Sequence, residues 1–501
     1  MTDRDYGAAS PPATPSSSRF ERQERLRPKK AKYEGIATVQ SSIINLTNTA
    51  VGAGALAFPS AFASMGLIPG IISCAGSAAT TIFGLYLLSR CAAMVGTRPG
   101  DEGKKASFNE LAKLTFGKGW ATKLFDLAIA IKCFGVSVSY LIICKTLLPQ
   151  VSYTISKVLH HPLADDSLLL ASHFWLFVCM VVIVPLSFLK TLDALKFTSQ
   201  IALLTVVYLV LVVVGWFFIK GASPTRGDVE LARFGKNTLS SFPVQVFAYT
   251  CAQNLFPIFN ELQNRTQKRL NIVIGASMGS ACIVYEILGI IGYLTFGSKV
   301  GSNIIAMYPP TSMIIAVGRF GIVLLVGLSY PLQLLPCRQS LHHIVFSISK
   351  KLRKVYGKPS SINQTTGGPE TSGFASINTH EESETDDESE INPLVPKRTD
   401  EPVVVHKHEM GRVEFVSLTT GILLAGFAIA YNVHELEVVL GFVGSTGSTI
   451  ISFILPGFFY FRIYRDEPGQ LKWWALALGI YGAAVMVFCL TFNILNLIHK
   501  P

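Results

Sequence analysis

Long apolar runs without charge dominate the chain, and they predict membrane-spanning helices. The first run extends from Gly35 to Ser89, 55 residues that include no Asp, Glu, Lys or Arg. A helix that crosses a bilayer needs roughly 20 mostly apolar residues, so this run is long enough for two helices joined by a turn at Met65 and Gly66. A transmembrane barrel would instead show strands of alternating polarity.

The same pattern predicts an all-α polytopic membrane protein with eleven transmembrane helices. Charge-free runs cover 35–89, 167–189, 197–219, 237–260, 415–434, 438–461 and 473–499, and three further spans that contain charges cover 119–149, 271–296 and 311–337. An ionisable residue inside a span is costly and is a functional candidate by default. Arg319 lies early in its span, so we expect its long side chain to reach the membrane interface.

Polar segments at the N-terminus and between helices 8 and 9 predict two disordered regions, because such segments cannot bury a core. The predicted organisation is a disordered tail over 1–35, a first five-helix repeat over 36–220, helices 6–8 over 237–348, a disordered acidic loop over 349–410, helices 9 and 10 over 411–463, and helix 11 over 471–499. Within the acidic loop, the segment from Glu390 to Val395 is typical of a dileucine signal that a sorting adaptor binds.

The charge balance indicates topology. The chain has 43 Lys and Arg against 32 Asp and Glu, a net charge of +11. In a soluble protein this excess would suggest nucleic acid as a partner. With the N-terminus in the cytosol, 33 of the 43 basic residues fall on the cytosolic side, where membrane proteins concentrate Lys and Arg. We therefore expect a lipid bilayer around the chain and no nucleic acid partner.

Several enzyme motifs are missing from the sequence. It has no H-E-x-x-H, no phosphate-binding G-x-x-x-x-G-K and no C-x-x-C. The cysteines lie in or beside apolar runs, which is typical of small buried side chains and not of a disulfide framework. We expect neither enzyme activity nor a cofactor or metal, and the absence of an ATP site indicates that an ion gradient drives any transport.

Two spans contain sequences that weaken a helix at mid-membrane depth. Span 1 places two glycines and a proline within 52–59, and span 6 places polar residues between two prolines within 243–257. Unpaired backbone inside hydrocarbon is tolerated only where it lines a cavity or binds a ligand. The alternative is that Gly and Pro are simply frequent in membrane helices.

Spans 1 and 6 are five helices apart, so they cross the membrane in opposite directions and predict two inverted five-helix units with a site between them. Helix N-termini favour a carboxylate, and unwound carbonyls can bind an ammonium group or a cation. An amino acid carries both groups. The candidate substrate contacts are Ala50, Gly52, Ala53 and Gly54 of span 1, and Thr250, Cys251, Gln253 and Asn254 of span 6.

Three segments, 47–56, 125–141 and 292–297, resemble the amino acid/auxin permease family, and most closely its fungal vacuolar transporters of the AVT type. The similarity covers 36–345 and 410–498. It implies a LeuT-type fold, in which ten helices form the inverted repeats and one more follows, and amino acid transport coupled to protons or sodium. In sodium-coupled relatives an Asn of span 1 and a Thr of span 8 hold the ion. Asn48 falls at the first position, and Ser329, which keeps the hydroxyl, falls at the second.

The sequence therefore predicts a secondary active, proton-coupled amino acid transporter of the vacuolar membrane that moves its substrate from lumen to cytosol. The candidates for ion coupling are Asn48, Ser329, Lys132 and Glu286. Lys132 and Glu286 are alternatively a structural ion pair, since a cation and an acid inside a membrane tend to pair. Two other functions stay open: a sodium-coupled neutral amino acid transporter of the plasma membrane, and an amino acid sensor without appreciable flux.

Overall fold

The computed structural model describes residues 35–95, 105–117, 120–161, 163–164, 166–188, 198–233, 236–356 and 410–498. This part of the chain is helical throughout, apart from turns and an isolated bridge between Ala37 and Leu262. The predicted all-α class is therefore confirmed. Residues 1–34 of the tail predicted over 1–35, most of the acidic loop and the segment Glu390–Val395 lie outside the described residues.

The α-helices are numbered here in chain order. They are α1 Val39–Ala50, α2 Ala53–Met65, α3 Leu67–Met94, α4 Phe108–Phe116, α5 Trp120–Val158, α6 Ser172–Ser187, α7 Thr198–Lys220, α8 Lys236–Tyr249, α9 Leu255–Glu261, α10 Gln267–Phe296, α11 Ile304–Met307, α12 Met313–Tyr356, α13 Arg412–Asn432, α14 Leu436–Val443, α15 Leu455–Ile463 and α16 Leu471–Ile498. Two π-helical segments, Gly444–Ser448 and Ile450–Ile454, connect α14 to α15.

Eight helical segments of the described chain are long and apolar enough to cross a membrane. They are Leu67–Met94, Thr122–Val158, Gln200–Lys220, Gln267–Lys299, Met313–Ile348, Arg412–Asn432, Leu436–Ile463 and Leu471–Ile498. Two shorter apolar helices, α2 and α6, lie among them. The count of eleven spans needs these shorter and interrupted helices in addition, and it stays a prediction.

The predicted turn between the first two spans falls where the sequence places it. Helix α2 ends at Met65, and Gly66 has a φ of 87°, a left-handed conformation that favours glycine. The loop that precedes α8 pairs with this turn, because the N–H of Leu67 donates to the carbonyl of Glu230 at 3.1 Å and the N–H of Arg233 donates to that of Met65 at 2.7 Å. A loop 160 residues away in sequence therefore holds the turn.

The helices pack in two groups. In the first, α10 packs against α1, α2 and α3, and α2 packs against α8. In the second, α5 packs along α12 and also against α6 and α13. The π-helical segment Gly444–Ser448 contacts both α5 and α8, so it lies where the two groups meet.

Arg319 is buried and does not reach the membrane interface, so that prediction is wrong. Its side chain is 0% exposed. Its Nε donates to the carbonyl of Ile305 at 3.3 Å, and its Nη2 donates to that of Tyr308 at 2.6 Å. These carbonyls belong to the one-turn helix α11 and the residue after it, and the last carbonyls of a helix lack intrahelical partners. The guanidinium satisfies them because it carries several donors in a fixed geometry.

Lys145, another charge within a predicted span, has the same kind of role. Its Nζ donates to the carbonyl of Ala430 and, at 2.8 Å, to that of Val433. Both carbonyls lie at the C-terminal end of α13, where a positive charge is favourable. Lys145 therefore joins α5 to α13.

Candidate functional site

The first broken helix is interrupted at Val51 and Gly52, between α1 and α2. The N–H of Gly52 donates to the carbonyl of Ala50 at 3.0 Å, and the carbonyl of Gly52 accepts from the N–H of Ala55 at 3.1 Å, which begins α2. Gly52 itself is not helical, with φ −134° and ψ −136°. The first N–H groups of a helix have no intrahelical acceptor, so the start of α2 at Ala53 directs donors and a positive dipole end at the interruption.

The second broken helix is interrupted just after Tyr249, where α8 ends. Thr250 and Cys251 are non-helical and buried. A 3₁₀ turn over Ala252–Asn254 follows and leads directly into α9. Both helices that the sequence marks as weak are therefore interrupted, each within the predicted stretch.

One tyrosine joins the two interruptions. The hydroxyl of Tyr285, on α10, lies 2.7 Å from the carbonyl oxygen of Ala50 and 2.9 Å from that of Ala248, and the two carbonyls share its single proton. Each carbonyl belongs to the last turn of a half-helix, where carbonyls are left without an intrahelical partner. The interruptions therefore lie at the same depth of the molecule and beside each other.

The two broken helices also touch directly. A Cβ added at Gly54 would lie 2.5 Å from the Cβ and 2.6 Å from the Cα of Ala248, closer than real side chains approach. A second link is the Nδ2 of Asn254, which donates to Thr49 Oγ1 at 2.7 Å. Gly54, predicted as a substrate contact, faces the neighbouring helix, and the absence of a side chain there allows α2 and α8 to approach.

The polar side chains of the second interruption differ in whether their hydrogen-bonding groups are already paired. The Oγ1 of Thr250 donates to the carbonyl of Val246 at 2.6 Å and accepts from Ser452 at 3.2 Å. The Sγ of Cys251 lies 3.8 Å from the sulfur of Met278. The amide of Gln253 is different: both its oxygen and its nitrogen are buried and lack a hydrogen-bond partner within the described residues. Gln253 therefore offers both a donor and an acceptor beside the interruption.

The π-helical segment Gly444–Ser448 forms another wall of this region, and the sequence reasoning missed it. A side chain at Gly444 would clash with the carbonyl of Pro243 on α8, and one at Gly447 would lie 2.8 Å from the Cβ of Lys132 on α5. π-Helical turns are rare and occur often at functional sites. The run of Gly, Ser and Thr from 444 to 449 is the sequence signal for this close packing.

Lys132 and Glu286 are not brought together. Lys132 is 3% exposed, packs against the π-helical segment and is near enough to Cys251 to interact with it electrostatically. Glu286 lies with Cys74 and Cys282 between α3 and α10. No acidic residue in the described part of the chain forms an ion pair with Lys132. A structural ion pair between the two is therefore not present.

The other candidates for ion coupling, Asn48 and Ser329, are both half-buried. No hydrogen bond connects them within the described residues. A small apolar pocket lies beside Gly52, between α2, α7 and α12. Leu325 lines this pocket, and Ser329 lies four residues further, on the same face of α12.

Two tyrosines of the site were missed by the sequence reasoning. Tyr285 directly precedes Glu286, and only Glu286 was a candidate, because it is charged. Tyr140 lies in the family-like segment 125–141, and its hydroxyl is 3.8 Å from the position of a Cβ at Gly52. A buried tyrosine usually needs a hydrogen-bond partner for its hydroxyl. A tyrosine within an apolar span is therefore the sequence signal at both positions.

The structure resembles solved transporters. It matches the crystal structure of MhsT in complex with L-phenylalanine with a TM-score of 0.54 and 13% identity, covering 92% of this chain and 99% of that one. It matches the structure of Mhp1, a nucleobase-cation-symport-1 family transporter in a closed conformation with bromovinylhydantoin bound, with a TM-score of 0.50 and 12% identity. These similarities confirm the LeuT-type fold.

Sequence comparison gives closer relatives. Vacuolar amino acid transporter 5 of Schizosaccharomyces pombe is 36% identical over 477 residues, which are 93% of this chain and 96% of that protein. Vacuolar amino acid transporter 6 of Saccharomyces cerevisiae is 34% identical over 471 residues, 91% of this chain and 98% of that protein. The family resemblance predicted from three short segments is confirmed.

The family model described as "Transmembrane amino acid transporter protein" matches residues 35–499. This range includes both interrupted helices and leaves out the N-terminal tail. Because the family and the relatives are transporters, the prediction that the chain is not an enzyme is also confirmed. The chain belongs to the transmembrane amino acid transporter family.

Proposed function

We propose that this chain is a secondary active transporter that moves amino acids across the vacuolar membrane, from the lumen to the cytosol, together with protons. One observation carries the proposal: two interrupted helices meet at the hydroxyl of Tyr285. A helix N-terminus and the carbonyls of helix C-termini then face one small region. The first favours a carboxylate and the second an ammonium group, which an α-amino acid supplies together. The relatives named as vacuolar amino acid transporters support both the substrate class and the location.

The substrate contacts in this proposal are mostly main-chain groups. The N–H groups at the start of α2 bind the carboxylate. The amide of Gln253, which has no hydrogen-bond partner among the described residues, is the side chain best placed to bind the substrate. Gly54 contributes through the close approach of α2 and α8. The remaining contacts are Ala50, Gly52, Ala53, Thr250, Cys251 and Asn254.

The proposal includes alternating access between two rigid groups of helices. The first five-helix repeat is 36–220, the second comprises 237–348 and 411–463, and 471–499 lies outside both, with the N-terminus in the cytosol. The group built around α10 would rock against the group built around α5 and α12. Their packing supports this, because the helices of each group pack more extensively with one another than with the other group.

Coupling in this proposal depends on Lys132, Asn48 and Ser329. Lys132 is a buried basic side chain that forms no ion pair with an acidic residue of the described chain. It lies close to Cys251 of the second interruption, with Cys133 beside it on α5. A charge in that environment is costly, so gain or loss of its proton changes the stability of a conformation in which it is buried. We expect Lys132→Met to allow exchange of internal for external substrate but to abolish accumulation driven by a pH gradient.

The decisive experiment is reconstitution of the full chain into liposomes with an imposed pH gradient, with uptake of each of the twenty amino acids measured. Uptake of at least one amino acid that rises with the gradient and collapses with a protonophore is expected. If no amino acid shows uptake that depends on the gradient, the proposal is wrong. Replacing sodium with an inert cation in the same assay distinguishes the sodium-coupled alternative, since only that transporter would lose uptake.

Deletion of 1–34 and 355–405 distinguishes a transporter from a sensor. A transporter should keep most of its flux, because none of the proposed substrate and coupling residues belongs to these segments. A sensor that signals through its tail and loop should lose its output. Within the loop, we propose that Glu390–Val395 binds a sorting adaptor, and Leu394→Ala with Val395→Ala should then shift a fluorescent fusion away from the vacuole.

A further inference from the structure

A cluster of metal-binding side chains lies between α3 and α10, separate from the substrate contacts. It consists of Cys74 on α3 and of Cys282 and Glu286 on α10. Two sulfur atoms and a carboxylate oxygen all lie within 4.8 Å of one another. All nine cysteines of the chain are free thiols, so neither sulfur is committed to a disulfide.

The helices bring these three side chains together in a way that suits a shared ligand. Cys282 and Glu286 are four residues apart on α10, so they project from the same face. Helix α3 packs along α10 and places Cys74 opposite them. Cys74 is fully buried, whereas Cys282 and Glu286 are half-buried.

The carboxylate of Glu286 supplies a second, independent indication of a cation. Its Oε2 is buried and has no hydrogen-bond partner within the described residues. No Lys, Arg or His of the described chain forms an ion pair with it. A carboxylate inside a membrane protein is otherwise found paired, because an isolated charge is costly there. A cation bound at this carboxylate would supply the partner that the described residues do not.

We propose that Cys74, Cys282 and Glu286 form a zinc-binding site. Calcium and magnesium require oxygen ligands almost exclusively, and copper(I) prefers sulfur alone, whereas zinc accepts thiolate and carboxylate together in a tetrahedron. Water occupies the fourth position. Both thiols lose their protons to solvent as the two zinc–sulfur bonds form. The hydroxyl of Tyr249, 3.2 Å from the Sγ of Cys74, hydrogen-bonds the thiolate and orients it.

The position of the site predicts what bound zinc does. Tyr249 is the last residue before the second interruption, and Tyr285, the neighbour of Glu286, holds the carbonyls of both interruptions. An ion between Cys74 and Cys282 would cross-link α3 to α10 directly behind these two tyrosines. Zinc therefore restrains the helices that carry the interruptions and slows transport. This consequence depends on the proposed function, but the binding of zinc does not.

The test uses the full chain, purified in detergent, reduced with a phosphine and freed of metal, and titrated with Co²⁺ as the probe. We expect one Co²⁺ per chain, a thiolate-to-cobalt charge-transfer band in the near ultraviolet, and displacement of Co²⁺ by Zn²⁺. Cys282→Ser and Glu286→Gln are conservative changes at half-buried positions. Each should weaken Co²⁺ binding by more than about tenfold, since even the loss of a residue that only hydrogen-bonds a metal ligand typically has such an effect. Cys91→Ser is the matched control, because Cys91 is also buried on α3 but lies outside the cluster.

Two results would overturn the proposal. The first is a wild-type chain that shows no thiolate-to-cobalt band although it is folded and its thiols are reduced. The second is Co²⁺ binding that is unchanged in both Cys282→Ser and Glu286→Gln. Because the readout is metal binding and not flux, failure of the transport proposal leaves this result interpretable, and the reverse also holds.

Discussion

Gly54→Ala is the smallest change that tests whether the two interrupted helices must touch. The new Cβ would lie 2.5 Å from the Cβ of Ala248, and carbon atoms pack at about 3.5–4.0 Å, so α2 and α8 must separate by roughly 1 Å or more. A misplacement of about 1 Å can reduce the rate of a site that depends on geometry about 100-fold. We therefore expect uptake in liposomes to fall by about two orders of magnitude, and Gly54→Leu to abolish it.

Stability separates this effect from misfolding. Overpacking costs about 1–3 kcal/mol, whereas Ala in place of Gly favours a helix by about 1 kcal/mol. The net loss should therefore be small, and Gly54→Ala should insert and elute like the wild type in size-exclusion chromatography. Gly76→Ala is the control, since a Cβ at Gly76 on α3 meets nothing within 4 Å. Wild-type flux in Gly54→Ala would refute the reasoning that close contact of the two helices forms the site.

Three further changes test other contacts. Tyr285→Phe removes the hydroxyl donor shared by two buried helix-end carbonyls, so thermal unfolding should show a loss of about 1–3 kcal/mol together with reduced uptake, while Tyr481→Phe on α16 should change neither. Arg319→Met removes charged hydrogen bonds worth about 1.5–3 kcal/mol each, so it should lower the unfolding temperature. Arg319→Lys should recover part of this loss. An unchanged unfolding temperature in Arg319→Met would contradict the assigned role. Ser329→Ala should raise the proton or sodium concentration needed for half-maximal uptake with little effect on folding, and an unaltered ion dependence would remove Ser329 from the coupling proposal.

Local features of the fold were predictable from the sequence. The turn at Gly66 and the two interruptions depend on glycine, proline and polar residues that act within a few positions of themselves. Such residues weaken a helix wherever the rest of the chain lies. The family resemblance also needed only short segments, and it led to the correct fold.

Long-range contacts were not predictable in the same way. Tyr285 and Ala50 are 235 residues apart in sequence, and nothing in either local pattern indicates that one hydroxyl serves both helices. Arg319 was expected at the interface because its position in the span allows its side chain to reach it. Its guanidinium instead donates to the carbonyls of Ile305 and Tyr308, which the local sequence pattern does not reveal. Gly54 was assigned to the ligand because the sequence does not show which helix lies against it.

The two π-helical segments of the tenth predicted span make the length of that helix critical. An α-helix turns by about 100° per residue, and a π turn contains an additional residue between its bonded groups. Each π turn absorbs that residue, but one further residue inserted between 444 and 454 would rotate α14 relative to α15 by about that angle. Gly444 would then face away from Pro243, whose carbonyl occupies the space of its absent side chain. An insertion that a surface loop would tolerate would here turn a whole helical face out of contact.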